Sequence, residues 1–397
     1  MNNHGSSRGA ILGIILLLTG IFLISFLGRV ILGPLLPVIE KDLGLSHTGA
    51  GSLFLVISLG YFLTLAGSGL VSSRLGHRLT IFLSVACLGL ALFLLSLTSS
   101  LPAVYLALLG VGLATGLYLP SAIATITTLV SPDHWGKALA IHELAPNLGL
   151  ILAPIIVEVF FHVLPWPGLV ACLGGLALVA GLVFLALARL DASYGEIPSP
   201  AVVKSLAGQP SFWIMMVLFS LGVSGSMGTY TILPLYLVTE AGFSSSSSNL
   251  WISASRVAGL LMAFAAGWLS DRVGPKATLR MVTLACGLST LFMGLFGGQL
   301  LIAALILQAA MAAAFFPPAF AALSKIGRPG ERNVVVSCTV PLSLLFGGGV
   351  TPAFIGYMGE AHTFALGVAL VGGLIAAGSM LVSRLVFREE NPVSGSG

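Results

Sequence analysis

Gly267-Trp268-Leu269-Ser270-Asp271-Arg272-Val273-Gly274-Pro275-Lys276 decides the fold, because it occurs twice. The other copy, Gly69-Leu70-Val71-Ser72-Ser73-Arg74-Leu75-Gly76-His77-Arg78, lies 198 residues earlier in a chain of 397. Each copy is a short charged turn between long apolar runs. At nearly the same offset Tyr118-Leu119-Pro120-Ser121-Ala122 matches Phe315-Phe316-Pro317-Pro318-Ala319, Pro154 matches Pro352 and Pro34 matches Pro234. A long fixed period marks a duplicated structural unit.

The runs on either side set the solvent. The chain is 57% apolar and only 8% Asp, Glu, Lys or Arg, against about 25% charged in an ordinary soluble domain. A water-facing globular surface is hard to build from this set, which excludes a soluble enzyme, a disordered tail and a nucleic-acid binder. Crossing about 30 Å of hydrocarbon takes about 20 apolar residues per helix. On that rule twelve spans are expected: 10–36, 49–72, 79–98, 101–128, 138–163, 165–189, 211–239, 247–270, 277–296, 299–324, 333–357 and 362–386. The first is too long for a secretory signal and has no small-residue cleavage site after it. Cys87, Cys172, Cys286 and Cys338 show no metal-ligand spacing, so no metal site is expected.

Cations are sorted by side. Fourteen Lys and Arg residues, from Arg8 to Arg388, fall on one face of this twelve-span plan, Lys41 alone falls on the other, and Arg29 and Arg256 lie inside spans. By the positive-inside rule both termini are cytoplasmic, and a bacterial inner membrane is expected. Residues 190–210 form the one long polar connection. It divides the chain into a six-helix bundle over 1–189 and a second over 211–397, parallel repeats about an axis along the membrane normal.

With these features the chain resembles the major facilitator superfamily of secondary transporters, from the helix count to the central linker. The repeated turn is similar to the family's Gly-x-Leu-x-Asp-Arg-x-Gly-Arg-Lys loop. The second copy fits well, and the first has Ser73 where the Asp is expected. The resemblance implies an all-α membrane protein of two pseudo-symmetric six-helix bundles that rock to give alternating access. It also implies that the two loops brace a cytoplasmic gate. Arg74, Arg78, Asp271, Arg272 and Lys276 are the gate candidates, with Asp133 and Glu331, themselves 198 residues apart, as their acidic partners. No Gly-x-x-x-x-Gly-Lys-Ser/Thr loop is present, so no nucleotide cofactor is expected.

Ionisable side chains inside spans are the informative ones, since a charge at mid-span costs roughly 2.5–3.5 kcal/mol on insertion scales. Arg29 and Arg256 come from opposite halves, each roughly 12–14 Å below the outer ends expected for their helices. Together they could form a fork for a carboxylate or other anion. The alternative for Arg29 is a structural pair with Glu158 in the fifth helix. Glu143 admits two readings, a titrating proton acceptor or a gate partner for Arg74 or Arg78. His142 beside it is a relay or a packed residue. Tyr118 and Tyr230 are candidate cargo-facing hydroxyls, followed by Tyr61, Asn147 and Ser343.

The expected function is a proton-linked, monomeric carrier of a small organic anion, monocarboxylates among them. The competing readings are a drug or metabolite exporter, an inorganic-anion carrier, a lipid-headgroup carrier and a non-transporting sensor. The exporter pattern is broken here, because Ala153, Val157 and Glu158 stand where three glycines would be.

Overall fold

The computed structural model describes residues 8–161, 163–188, 193–195, 200–326 and 332–387. Among them there is no strand. Eleven helices are long and apolar enough to cross a membrane: α1 (Gly9–Leu43), a helix over His47–Leu97, α4 (Leu101–Leu129), α5 (Pro132–Phe160), α6 (Trp166–Leu187), α7 (Pro210–Thr239), α8 (Ser245–Val273), α9 (Pro275–Leu295), α10 (Gly298–Leu323), α11 (Val334–Ala361) and α12 (Phe364–Arg384). The second of these has 51 residues, about 76 Å of helix, more than twice the hydrocarbon thickness. Gly76 interrupts it at φ 76°, ψ 161°. It is therefore two spans, α2 (47–75) and α3 (77–97), and the crossings number twelve. A short helix, Pro200–Ala207, lies in the linker.

The duplication is visible in backbone detail. Gly76 and Gly274 occupy the same place in the two turns and share a positive φ (76° and 92°) that favours glycine. Gly44 and Gly242 do so again after the first helix of each half (φ 60° and 75°). Ser46 caps α2 by accepting from Gly49 N–H, and Ser244 caps α8 by accepting from Ser247 N–H. Asp42 accepts from the Trp166 indole at 2.8 Å, and its counterpart Glu240 accepts from the Ala365 N–H at 3.2 Å, tying the first helix of each half to the sixth. Arg78 and Lys276 are also counterparts. Arg78 donates to the Leu185 carbonyl at 2.5 Å and Lys276 to the Leu385 carbonyl at 2.6 Å, so each cation satisfies the free end of its half's last helix.

One boundary differs from expectation in a way that matters. α1 does not stop at residue 36. It continues through Pro37, Glu40, Lys41 and Asp42 to the left-handed Gly44 cap. Those polar residues lie on a helical extension past the apolar core, so a charge there ends the hydrocarbon span without ending the helix. Around the outside, Leu94, Leu106, Leu182, Leu261, Phe264 and Leu374 are all at least 60% exposed. Such a surface suits lipid, where burying apolar side chains between helices has no solvent drive.

Candidate functional site

The sites lie where helices depart from regular geometry. α1 breaks at Ile31, three residues before Pro34, which has no N–H to continue the ladder. Arg29 sits on the turn before this break. Its guanidinium carbon stands 4.2 Å from the centre of the Tyr61 ring and 5.2 Å from that of Phe26, distances at which a cation is held by ring quadrupoles. Arg29 is buried and its Nε has no hydrogen-bond partner. Among the described residues no carboxylate is within ion-pair reach; the pairs found are His47–Glu40 and His142–Glu143. Arg29, Phe54, Ser58 and Tyr61 form one wall of a narrow cleft between the halves, and Met227, Thr231, Leu344 and Gly348 form the other.

Arg256 is placed differently. Its guanidinium carbon lies 4.8 Å from the centre of the Tyr230 ring, it is buried, and its Nε is also without a partner. It does not line the Arg29 cleft. The two cations approach the same turn of α7, Arg29 beside Met227 and Thr231 and Arg256 against Tyr230. At 100° per residue those faces are roughly 80° apart around the helix. The expected open fork is thus corrected to two cations flanking one helical turn. Measured along the helices, Arg29 is roughly 21 Å from the end of α1 at Leu43 and Arg256 roughly 16 Å from the start of α8 at Ser245.

Tyr230 does not present its hydroxyl to the cleft. It donates to the Leu150 carbonyl of α5, 3.1 Å away in the other half. Leu150 is four residues before Pro154, so its carbonyl lacks the usual intrahelical donor. Ser253 of α8 adds a 2.7 Å bond to the next carbonyl, Ile151. A proline in one half thus creates an acceptor that the other half fills.

Tyr118 and Ser343 are corrections to the expected cargo hydroxyls. Tyr118 is fully buried and donates to the Leu18 carbonyl at 2.6 Å; Ser343 is fully buried and donates to Thr339 on its own helix. Asn147 likewise bonds within its helix, to the Glu143 carbonyl at 3.2 Å. Tyr61 lines the cleft as a ring beneath Arg29.

His142 and Glu143 sit at the break in α5. His142 is fully buried, stacked on Phe22 at 4.6 Å, with Nε2 3.2 Å from the Tyr118 hydroxyl. The single Tyr118 proton goes to Leu18, so Nε2 is the donor in that contact. Nδ1 then faces Glu143 Oε1 at 3.6 Å with no hydrogen bond of its own. Glu143 is exposed.

Glu158 accepts from Ser246 of α8 at 2.6 Å and forms no ion pair with Arg29. Among the described residues no ion pair of the loop residues crosses to the other half. Arg78 and Lys276 brace their own halves, and Arg272 stacks on Trp268 at 4.0 Å. Arg74, Asp133 and Asp271 are exposed and in no ion pair among the described residues. Glu331 lies outside the described residues.

Among the described residues the hydrogen bonds that join the halves are Tyr230–Leu150, Ser253–Ile151, Ser246–Glu158 and the Thr48 N–H to Glu360 at 3.1 Å. All lie at mid-depth or toward the side away from the cation-rich loops. Gly51 and Gly356 let α2 and α11 touch on that side, since a Cβ on either would overlap a backbone carbonyl, of Pro352 and His47 respectively. Among the described residues no hydrogen bond joins the halves on the cation-rich side. The cleft itself has only about 20 Å³ of enclosed space, room for about one water.

Two parallel six-helix bundles, meeting over a cleft with an unpaired buried cation, define a polytopic membrane protein of the transporter type rather than an enzyme. The chain belongs to the Major Facilitator Superfamily, whose family model matches residues 18–300 and 242–396. It is 25% identical over 299 residues to an uncharacterized MFS-type transporter of Mycobacterium tuberculosis, an alignment covering 74% of this chain and 66%, just under two thirds, of that relative. It is 22% identical to the D-galactonate transporter of Escherichia coli, covering 88% of this chain and 89% of that one. It is also 21% identical to the multidrug resistance protein MdtL of Shewanella oneidensis, over 62% of each chain. Among solved structures, a bacterial homolog of the human lysosomal transporter Spinster superposes with a TM-score of 0.79 at 16% identity, over 96% of both chains.

Proposed function

We propose that the chain is a secondary transporter that carries a small organic carboxylate across the bacterial inner membrane, coupled to protons, with both termini cytoplasmic. The observation that carries this reading is Arg29: a buried guanidinium with no carboxylate partner, in the wall between two bodies that must separate. An unpaired charge in that place is costly, and an anionic guest supplies the missing counter-ion. D-galactonate, the cargo in the name of one relative, is a carboxylate. That no bond among the described residues joins the halves on the cation-rich side supports reading this arrangement as inward-facing. A whole organic acid does not fit 20 Å³, so the halves part further to admit it. Arg256 supports the same turn of α7 from the other half, and the His142–Glu143 pair holds the coupled proton. Protonation of the pair lowers the negative charge of the half that carries Arg29, so proton and anion favour each other's entry.

Uptake into proteoliposomes tests this, after thermal-shift screening of carboxylates, sulfonates and inorganic anions to choose the probe. Carboxylates are expected to stabilise the protein, an imposed pH gradient to drive their accumulation, and Glu143→Gln to abolish that drive while leaving exchange of labelled for unlabelled anion. Stabilisation by lipophilic cations and not by carboxylates would transfer the reading to drug export.

A further inference from the structure

We infer that the hollow at the cation-rich end of α9 holds the headgroup of an anionic phospholipid from the adjoining leaflet. This stands apart from the cargo cleft. The hollow has a volume of about 840 Å³ and is walled by Lys276, Arg280 and Lys325 together with Met281, Leu284 and Phe387; no acidic residue among the described ones lines it. Among the described residues none of the three cations has a carboxylate partner. Lys276 is held in place by its bond to the Leu385 carbonyl, and the Lys325 ammonium lies 5.9 Å from the centre of the Phe387 ring. Arg280 is exposed.

The face continues as a lipid would. Lys276, Arg280, Leu284 and Leu288 follow one another at four-residue spacing on one side of α9, with Phe292 and Leu295 beyond, and those apolar side chains are exposed at 41%, 38%, 38% and 62%. Cations at the interface give way to a bare hydrocarbon stripe within about two turns. That sequence of chemistry matches a phosphate followed by an acyl chain.

Sorting of positive charge to one side does not explain the cluster, because the other half serves as an internal control. The counterparts of Lys276, Arg280 and Lys325 are Arg78, Phe82 and Thr127. Arg78 makes the same brace, to Leu185, but stands alone. Two cations have been added in one half at the same hollow, where the fold does not require them.

The test uses the full chain in nanodiscs of phosphatidylcholine with and without phosphatidylglycerol, read by native mass spectrometry of retained lipid and by thermal melting. The wild type is expected to retain phosphatidylglycerol preferentially and to melt higher in its presence. Arg280→Gln with Lys325→Gln is expected to weaken retention by roughly 30-fold, about fivefold per cation, and to lose the melting shift. Lys137→Gln with Lys204→Gln removes two exposed cations elsewhere and should leave both intact, while Arg280→Lys with Lys325→Arg should keep most of the effect. If the first pair does not yield folded protein, Arg280→Gln alone carries the test at about fivefold. Equal retention in the two glutamine pairs, or no preference over phosphatidylcholine in the wild type, overturns the inference. So does full displacement of the lipid by glycerol phosphate, which would make the hollow a site for a soluble phosphate.

Discussion

The two seams that join the halves are related by the internal repeat and are built from different materials. Along α2 and α11 the contact is mainly close approach at glycines, Gly51 against Pro352, Gly356 against His47 and Gly349 against Leu55 and Ser58, with one side-chain bond from the Thr48 N–H to Glu360. Along α5 and α8 it is made by hydroxyls, Tyr230 reaching in from α7, Ser253 and Ser246, aimed at carbonyls and a carboxylate of the other half. The glycine seam leaves a cleft beside it that holds Arg29; the hydroxyl seam keeps Arg256 packed on a ring. Duplication supplied matching helices, and side-chain changes then gave one seam to the guest and the other to the fastening of the halves.

The largest expected effect separates the two arginines. Arg29→Lys keeps the charge but loses the planar fork, and carboxylate uptake in proteoliposomes should fall about 100-fold with melting unchanged. Arg256→Lys, whose partner is a ring rather than the guest, should stay within about tenfold of the wild type. Equal losses at both positions would collapse the distinction between the seams.

A smaller effect tests the glycine seam as a closure. In Gly51→Val the new side chain meets α11 first, because the three atoms nearest its Cβ belong to Pro352 and Ala353. The strain, roughly 1–3 kcal/mol, then falls on the closed outer side alone. A cysteine at Ser58, in a background freed of native cysteines, should react with an impermeant maleimide from outside roughly 5- to 150-fold faster than without the valine. Gly112→Val is the contrast. Its Cβ would run into Ile57 and Tyr61 of the same half, so the expected outcome is loss of folded protein.

How much of this was legible in sequence depends on whether a feature is local. The Gly76 and Gly274 turns, the linker and the twelve crossings follow from composition and a repeat, and each needs only neighbours along the chain. The facing of side chains does not. α4 and α7 are apolar on all sides, so nothing in their pattern says that Tyr118 turns into its own bundle or that Tyr230 crosses to the other. Arg29 is recognisable as costly, whereas the length of its helix is not, because Glu40-Lys41-Asp42 reads as the end of a helix when it is only the end of the hydrocarbon. Ser253 and Ser246 were missed among ordinary serines. One signal was available: Pro154 leaves the Leu150 carbonyl without a donor, which asks for a partner that sequence alone cannot name.

That orphan carbonyl sets the smallest prediction. Tyr230→Phe leaves Leu150 with no donor while the outer side is closed, so the closed state should lose about 1 kcal/mol, a shift of about fivefold in the same maleimide reaction. Ser253→Ala removes a bond of similar length, but Ile151 can still accept from the N–H of Ile155 within α5, so its shift should be under about twofold. If the proline is the cause of the difference, Pro154→Ala restores an internal donor to Leu150 and should shrink the Tyr230→Phe effect to the size of the Ser253→Ala effect. A double-mutant cycle between Pro154 and Tyr230 that closes additively would show that the tyrosine holds the seam by packing alone, and the two seams would then differ less than their hydrogen bonds suggest.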